Sequence, residues 1–188
     1  MYVAALGPAN LRLTGELADG WVGNSFFPET ADVFFDPIRE GAAAAGRSIA
    51  ELDLVVAVSV EFTEDVEPAG RRHAEGYAFT FGAMGSANRN FYNDAFARQG
   101  FGDDVHEVQR LWLSGEKEAA RKRVPLEIGL RTNLIGTDAM IRERLRLYRD
   151  AGVTSLRVTF QGEDTHRRLD DLARLLDLVR DVDAEVAA

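Results

Sequence analysis

The feature that most constrains this chain is the alternation of short apolar runs with amphipathic helical stretches. Four β-branched or apolar runs lie at residues 2–6, 21–23, 52–62 and 153–160. Helical patterns accompany them and end at glycines such as Gly46 and Gly152. Strands that alternate with helices predict a parallel sheet covered by helices, and therefore an α/β fold.

The alternation is interrupted between residues 63 and 136. A stretch of about 70 residues is too long for an ordinary βα loop. Its pattern predicts helices at residues 71–84, 88–98 and 104–123. It also contains an aromatic cluster: Phe79, Phe81, Phe91, Tyr92 and Phe96. We interpret the cluster as the core of a helical insertion, with a lid or a dimer contact as alternatives.

The alternation returns after the insertion. Thr137 is predicted to cap one helix and Thr165 to cap the last helix. Five apolar residues share one face of that last helix: Leu169, Leu172, Ala173, Leu176 and Val179. Glu163 and Asp164 could reach the strand ends, although capping already explains them. Residues 1–188 are thus predicted to form one domain of four βα units, with the insertion between the third and fourth strands.

Composition and charge exclude several classes of protein. The chain has 22 basic and 31 acidic residues, a net charge of −9, which disfavours binding to nucleic acid or anionic membranes. No apolar run reaches the roughly 18–20 residues of a membrane span. The chain has no cysteine, so disulfides and thiolate metal sites are excluded. The three histidines, His73, His106 and His166, have no metal-ligand spacing and are interpreted as surface or cap residues. A cytoplasmic location is expected.

Four βα units fit two architectures, an open doubly wound sheet or half of a (β/α)8 barrel. The first apolar run begins at Tyr2, and a buried strand there needs a partner on its edge. We therefore favour the C-terminal half of a barrel, with the open sheet as the alternative.

Several segments resemble the luciferase-like oxidoreductases in order and spacing, and in particular their coenzyme F420-dependent members. The segments are residues 2–8, 13–21, 39–42, 45–47, 136–137 and 148–153. F420-dependent members include methylenetetrahydromethanopterin reductases and sugar-phosphate dehydrogenases. The resemblance implies a TIM barrel, of which this chain provides the C-terminal half. It also implies hydride transfer between deazaflavin F420 and an organic small molecule, with FMN as the alternative cofactor, and a homo-oligomer. Most catalytic side chains of the family lie in the other half, so no catalytic residue is assigned.

The first candidate site is the turn formed by Ala5, Leu6, Gly7 and Pro8, which follows the first strand. Backbone N–H groups and the dipole at the start of the next helix favour an anion there. The resemblance places the cofactor phosphate at this turn. An ordinary βα turn is the alternative interpretation.

Two further candidates follow later strands. Asn24 and Ser25 lie after the second strand, on the rim where barrel active sites gather, although Asn-Ser is also common in turns. Resemblance to sugar-phosphate-oxidising members implies that Arg131 holds a substrate phosphate, with a surface ion pair as the alternative. The lysine those members carry after the second strand is replaced here by Phe26 and Phe27, which favours a more apolar substrate.

Three other functions remain open at this point. The first is an FMN-dependent monooxygenase of the same family. The second is a non-catalytic half-barrel that pairs with itself or with a partner, which predicts that the edges at residues 2–6 and 156–160 are buried in an oligomer. The third is a truncated reading frame without independent function.

Overall fold

The computed structural model describes residues 1–85, 90–162 and 164–185. Five parallel strands form one sheet: β1 (Tyr2–Ala4), β2 (Gly20–Gly23), β3 (Asp53–Phe62), β4 (Leu134–Gly136) and β5 (Ser155–Phe160). Four of the strands lie in the predicted runs. The sequence pattern does not reveal β4, because its 3 residues lie outside any longer apolar run, whereas the 3 residues of β1 are part of the run at residues 2–6.

The long strand β3 lies at the centre of this sheet. Val55 and Val56 pair with β2 and also with β5, so these two strands occupy opposite edges of β3. The short strand β4 pairs with β3 at residues 60–62, on the same edge as β2. Since β1 pairs with β2, the main row of strands runs β1-β2-β3-β5.

Helices lie between the strands and in the insertion. In the described part of the chain they are α1 (Pro8–Leu17), α2 (Asp32–Ala44), α3 (Val66–Ala83), α4 (Phe91–Phe96), α5 (Gly102–Leu113), α6 (Lys117–Arg123), α7 (Leu126–Arg131), α8 (Asp138–Asp150) and α9 (Thr165–Ala184). A kinked segment, Ala97–Phe101, joins α4 to α5, with Gly100 at a φ of +97°. Helices α1, α2, α8 and α9 alternate with strands, whereas α3 to α7 form the insertion.

Helix boundaries in the insertion differ from those predicted. The single helix expected at residues 104–123 is two helices, because Gly115 turns the chain with a φ of +89° between α5 and α6. Helix α7 was not expected. The helix expected at 88–98 begins at Phe91, and residues 86–89 lie outside the described part of the chain.

The caps of the last two helices differ in outcome. The Thr137 side chain accepts a hydrogen bond from the Met140 N–H, which confirms the predicted cap of α8. Thr165 was wrong as the cap of α9: Asp164 caps it, accepting from the N–H groups of His166 and Arg167 at 2.9 and 3.4 Å. Thr165 is the first helical residue. Glu163 lies outside the described residues.

One hydrophobic core lies between the sheet and helices α1, α2, α8 and α9. Its centre is Trp21, whose ring contacts Phe26, Phe34 and Phe35 with centroids 5.5–6.0 Å apart. The indole N–H donates to the Ala5 carbonyl at 2.9 Å, which satisfies the buried polar atom. Alternate residues of β3, from Leu54 to Val60, are buried against the helices.

A second core holds the insertion together. It contains eleven buried residues: Phe27, Ala74, Ala78, Phe81, Phe96, Val105, Val108, Leu111, Ala120, Val124 and Ile128. The predicted aromatic core is confirmed for Phe81 and Phe96, which pack edge to face at 4.9 Å. It was wrong for Phe79 and Phe91, which are 56% and 52% exposed.

The other face of the sheet and both of its ends are less covered. Ser155, Arg157 and Thr159 of β5 are exposed, and their register partners on β3 are half-buried. Large apolar side chains are exposed beside both ends of the row, at Tyr2, Leu13 and Leu17 and at Leu169 and Leu176. Helix α9 instead buries Leu175, Leu178 and Val182, so its predicted apolar face is largely exposed.

Candidate active site

A cleft of about 250 Å³ opens at the carboxyl ends of β1 and β2. It is lined by Ala4, Ala5, Leu6, Gly7, Asn10, Val22, Asn24, Phe91 and Tyr92. The sequence-predicted residues Ala5, Leu6, Gly7 and Asn24 are therefore brought together. Pro8 and Ser25 adjoin the cleft in sequence but are not among its lining residues.

The turn from Ala5 to Pro8 is built as the start of α1. Gly7 is the N-cap residue in an extended conformation, with φ −80° and ψ 145°, and Pro8 takes the first helical position. The carbonyl of Gly7 accepts from the Leu11 N–H at 3.0 Å. A Cβ on Gly7 would approach the Phe91 ring across the cleft, at 4.0 Å. Glycine here widens the cleft, while its φ is one that any residue adopts.

The second predicted turn has a strained backbone. Ser25 is buried and adopts a φ of +58°, in the left-handed region that non-glycine residues rarely occupy. Its hydroxyl donates to the Asn24 side-chain oxygen at 3.3 Å. Ser25 therefore shapes the turn that places Asn24 in the cleft wall.

The insertion supplies the opposite wall of the cleft, through Phe91 and Tyr92 of α4. Asn90 holds this helix in place: its side-chain oxygen accepts from the Tyr92 N–H at 3.0 Å, and its amide donates to the Phe81 carbonyl at 2.9 Å. The aromatic composition of the segment is visible in the sequence. Its position opposite Gly7 depends on tertiary structure, and sequence reasoning missed it, together with Asn10.

Arg98 and Gln99 were also missed, and they join the insertion to both turns of the cleft. Arg98 donates to the carbonyl of Leu6, and Gln99 donates to the carbonyl of Ser25 at 2.7 Å. Partial burial lowers the pKa of Arg98 from its ordinary value, although a nearby aspartate opposes the shift. The signal available in the sequence is weak, because adjacent polar residues in a helical stretch usually indicate a solvent-exposed face.

Arg131 lies outside the residues that line the cleft. Its guanidinium packs over the Phe27 ring, 4.7 Å from the centroid, and pairs with Glu29 at 3.5 Å. Phe26 and Phe27 are 1% and 0% exposed. Each ring is part of a hydrophobic core, so neither lines the cleft, and the more apolar substrate inferred from the missing lysine stays a prediction.

A second polar cluster lies at the carboxyl end of β3. Glu61 Oε2 and His73 Nε2 are 3.1 Å apart, and Arg72 pairs with the other carboxylate oxygen. The His73 side chain is 12% exposed, so its interpretation as a surface residue was wrong. His106 and His166 are exposed, as expected.

Comparison with known proteins gives a consistent family assignment. Residues 1–155 match the profile of the family described as luciferase-like monooxygenase. A protein of Mycobacterium tuberculosis named as a coenzyme F420-dependent oxidoreductase is 30% identical over 178 residues, which cover 94% of this chain and 50% of that protein. The 5,10-methylenetetrahydromethanopterin reductase of Archaeoglobus fulgidus is 29% identical over 161 residues, covering 83% and 46%.

Solved structures give the same fold. The coenzyme F420-dependent tetrahydromethanopterin reductase from Methanopyrus kandleri superimposes with a TM-score of 0.68 at 24% identity, covering 91% of this chain and 48% of that one. An alignment at this identity establishes an α/β fold similar to those of luciferase-like TIM-barrel enzymes. The chain spans about half the length of the curated relatives it matches.

None of the helices in the described ranges is long and apolar enough to cross a membrane.

Proposed function

Because the chain belongs to the luciferase-like monooxygenase family, we propose that it forms part of an F420-dependent oxidoreductase. The observation that carries the proposal is the cleft between Leu6-Gly7 and Asn24, at the carboxyl ends of adjacent parallel strands. Ligands of α/β sheets bind at these ends. The named F420-dependent relatives favour F420 as the ligand.

The composition of the cleft is compatible with the phosphate of F420. Within the described ranges of the chain, the residues that line it include no aspartate or glutamate, so none of them opposes an anion with a carboxylate. The first turn of α1 is also free of acidic residues, and its N–H groups point toward the cleft end of the helix. We assign the turn of Ala5, Leu6, Gly7 and Pro8 to the phosphate and Asn24 to the rest of the cofactor, with Ser25 supporting Asn24 through its hydroxyl.

Each part of the chain has a separate task in this proposal. The α1 turn binds the phosphate, Asn24 donates or accepts hydrogen bonds, and the rings of Phe91 and Tyr92 exclude water from one side. F420, when bound, supplies hydride transfer to or from an organic small molecule. Arg131 is proposed to hold an anionic group of that substrate, which requires it to leave Glu29.

We further propose that the sheet is half of a (β/α)8 barrel. The row β1-β2-β3-β5 provides four of eight strands. The exposed face of β5 and the apolar side chains exposed on α1 and α9 are surfaces that further βα units, or another copy of the chain, would cover. If another copy of the chain covers these surfaces, the protein is a homo-oligomer.

The test is a titration of the 188-residue chain with F420 and with FMN, followed by fluorescence, with the mass in solution recorded. Tight binding of F420 supports the proposal, and preferential binding of FMN supports the luciferase-like monooxygenase alternative. A folded, monodisperse sample that binds neither cofactor overturns the proposal for this chain and favours the non-catalytic or truncated alternatives.

A matched pair of variants locates the phosphate. Gly7→Asp adds a carboxylate at the cleft, whereas Gly7→Asn adds a neutral side chain of the same size, and the φ of Gly7 accepts both. We expect Gly7→Asp to bind F420 at least about tenfold more weakly than Gly7→Asn, because like charges repel. Equal affinities would place the phosphate elsewhere.

A further inference from the structure

The segment after β2 is shared between the two hydrophobic cores. Phe26 packs in the sheet core, with its ring centroid 6.0 Å from that of Trp21. Phe27, the next residue, packs in the insertion core at 5.5 Å from Phe96. The preceding Ser25 has the left-handed φ of +58°. The turn that forms this wall of the cleft therefore lies where the sheet meets the insertion.

The Gln99 side chain fixes this junction. Its amide nitrogen donates to the carbonyls of Ser25 at 2.7 Å and Ala95 at 3.1 Å. Its oxygen accepts from the Phe27 N–H at 3.0 Å and the Thr30 hydroxyl at 3.1 Å. Two donors and two acceptor lone pairs are the full hydrogen-bonding capacity of a glutamine amide. Since the side chain is buried, losing these partners would leave the Ser25 turn without its support.

Arg98 supports the other turn of the cleft, from Ala5 to Pro8, through hydrogen bonds. Its guanidinium donates to the carbonyl of Leu6 and, at 3.2 Å, to the carbonyl of Val33. It also lies 5.7 Å from the Phe34 ring centroid. Arg98 and Gln99 are adjacent in the kinked segment Ala97–Phe101, just before Gly100 with its φ of +97°. Two consecutive residues of the insertion thus hold both turns that bind the proposed cofactor.

We propose that Arg98 and Gln99 are positioning residues of the cleft, and that docking of the insertion and ligand binding in the cleft are thermodynamically coupled. The inference rests on the proposed function for the identity of the ligand. A ligand between Gly7 and Phe91 contacts both sides of the cleft, so it stabilises the docked insertion. By linkage, the factor by which the ligand favours the docked insertion is also the factor by which undocking of the insertion weakens ligand binding.

The experiment compares Gln99→Leu with Thr154→Val in the full chain. Thr154 precedes β5, and its hydroxyl oxygen accepts from the Leu54 N–H of β3 at 2.8 Å, so this contact lies within the sheet and outside both the insertion and the cleft lining. Both variants lose hydrogen bonds and some stability. We expect Gln99→Leu to weaken F420 binding about 5–150-fold, the usual range of such couplings, and Thr154→Val to bind F420 within about twofold of wild type.

Hydrogen exchange provides a readout independent of the cofactor. In Gln99→Leu we expect faster exchange at residues 25–27 and throughout α4, with β3 and β5 unchanged. In wild type, F420 should slow exchange in α4 and in the kinked segment Ala97–Phe101. Arg98→Lys, which keeps the charge but loses the fork of donors, should give a smaller effect of the same kind.

Each result decides one hypothesis. If wild type binds neither F420 nor FMN, the proposed function fails, and exchange in α4 of Gln99→Leu alone decides the positioning role. If Gln99→Leu binds F420 within twofold of wild type, or leaves exchange in α4 unchanged, the coupling is overturned. If Gln99→Leu does not fold, Arg98→Lys is tested instead, by its affinity for F420 and by hydrogen exchange in α4.

Discussion

The sheet core contains strands and the insertion core is built mainly from helices, yet in both regions a pair of helices is in close contact at glycines. Between α1 and α2, a Cβ on Gly15 would lie 2.0 Å from the Ile38 carbonyl oxygen. Between α3 and α7, a Cβ on Gly129 would lie 2.1 Å from the Gly70 carbonyl oxygen. Helices α1 and α2 are consecutive in the chain, whereas α3 and α7 are separated by three other helices. The same close contact therefore joins consecutive helices in one region and helices far apart in the chain in the other.

The largest expected effects come from the adjacent residues Phe26 and Phe27. Phe26→Ala and Phe27→Ala each remove a fully buried ring, at a cost of about 3–5 kcal/mol. We expect Phe26→Ala to destabilise the whole chain and Phe27→Ala to open the insertion first. Hydrogen exchange resolved along the chain measures this difference. Equal loss of protection in both regions for both variants would mean that the two cores unfold as one unit.

The next largest effect on stability is expected at Gly129, where α7 contacts α3. Gly129→Ala forces α7 away from α3, and we expect a loss of about 1–3 kcal/mol in the free energy of unfolding. Gly76 is the matched control, since it lies in α3 and a Cβ added there would have nothing within 4 Å. Gly76→Ala should stabilise by about 0.5–1 kcal/mol through helix propensity. Urea unfolding measures both values, and a neutral Gly129→Ala would contradict the tight contact.

Acid should weaken the connection between the two regions at Glu29. Burial tends to raise the pKa of Glu29, but the hydrogen bond from Arg144 and the charges of Arg144 and Arg131 outweigh it, so the net pKa is lowered from 4.5. A lowered pKa in the folded state stabilises the fold above pH 4.5, and this contribution is lost as the pH falls through the folded value. At pH 7, the free energy of unfolding of Glu29→Gln should be about 1 kcal/mol lower than that of wild type. Between pH 5 and pH 3, the variant should lose less stability than wild type does. Urea midpoints at the three pH values test this, and parallel curves for the two proteins would refute it.

The smallest effect distinguishes two neighbouring residues at the start of α9. Asp164→Ala removes the side chain that caps the helix and should cost about 1 kcal/mol. Thr165→Ala should change the stability by a few tenths of a kcal/mol, because Thr165 is inside the helix. Thermal unfolding of both variants is sufficient. A larger loss for Thr165→Ala would restore the cap predicted from the sequence.

The site shows how far prediction from sequence reaches. Ala5, Leu6 and Gly7 could be found because a strand, a glycine and a helix start follow each other within a few residues. Asn24 follows its strand in the same way. Phe91, Arg98 and Gln99 reach the cleft from about 70–90 residues further along the chain, and no local pattern encodes such a distance. The short strand β4 and the helix α7 were hidden for a related reason, since short elements depend on their neighbours.

The sequence by itself determined the α/β alternation, the position of the insertion, the family and the two turns that follow β1 and β2, because hydrophobic periodicity and turn residues act over a few positions. Only the tertiary structure decided which core each phenylalanine enters, which residue caps α9 and which side chains close the cleft. Those outcomes depend on contacts between distant segments, where one buried amide such as that of Gln99 can hold two turns at once.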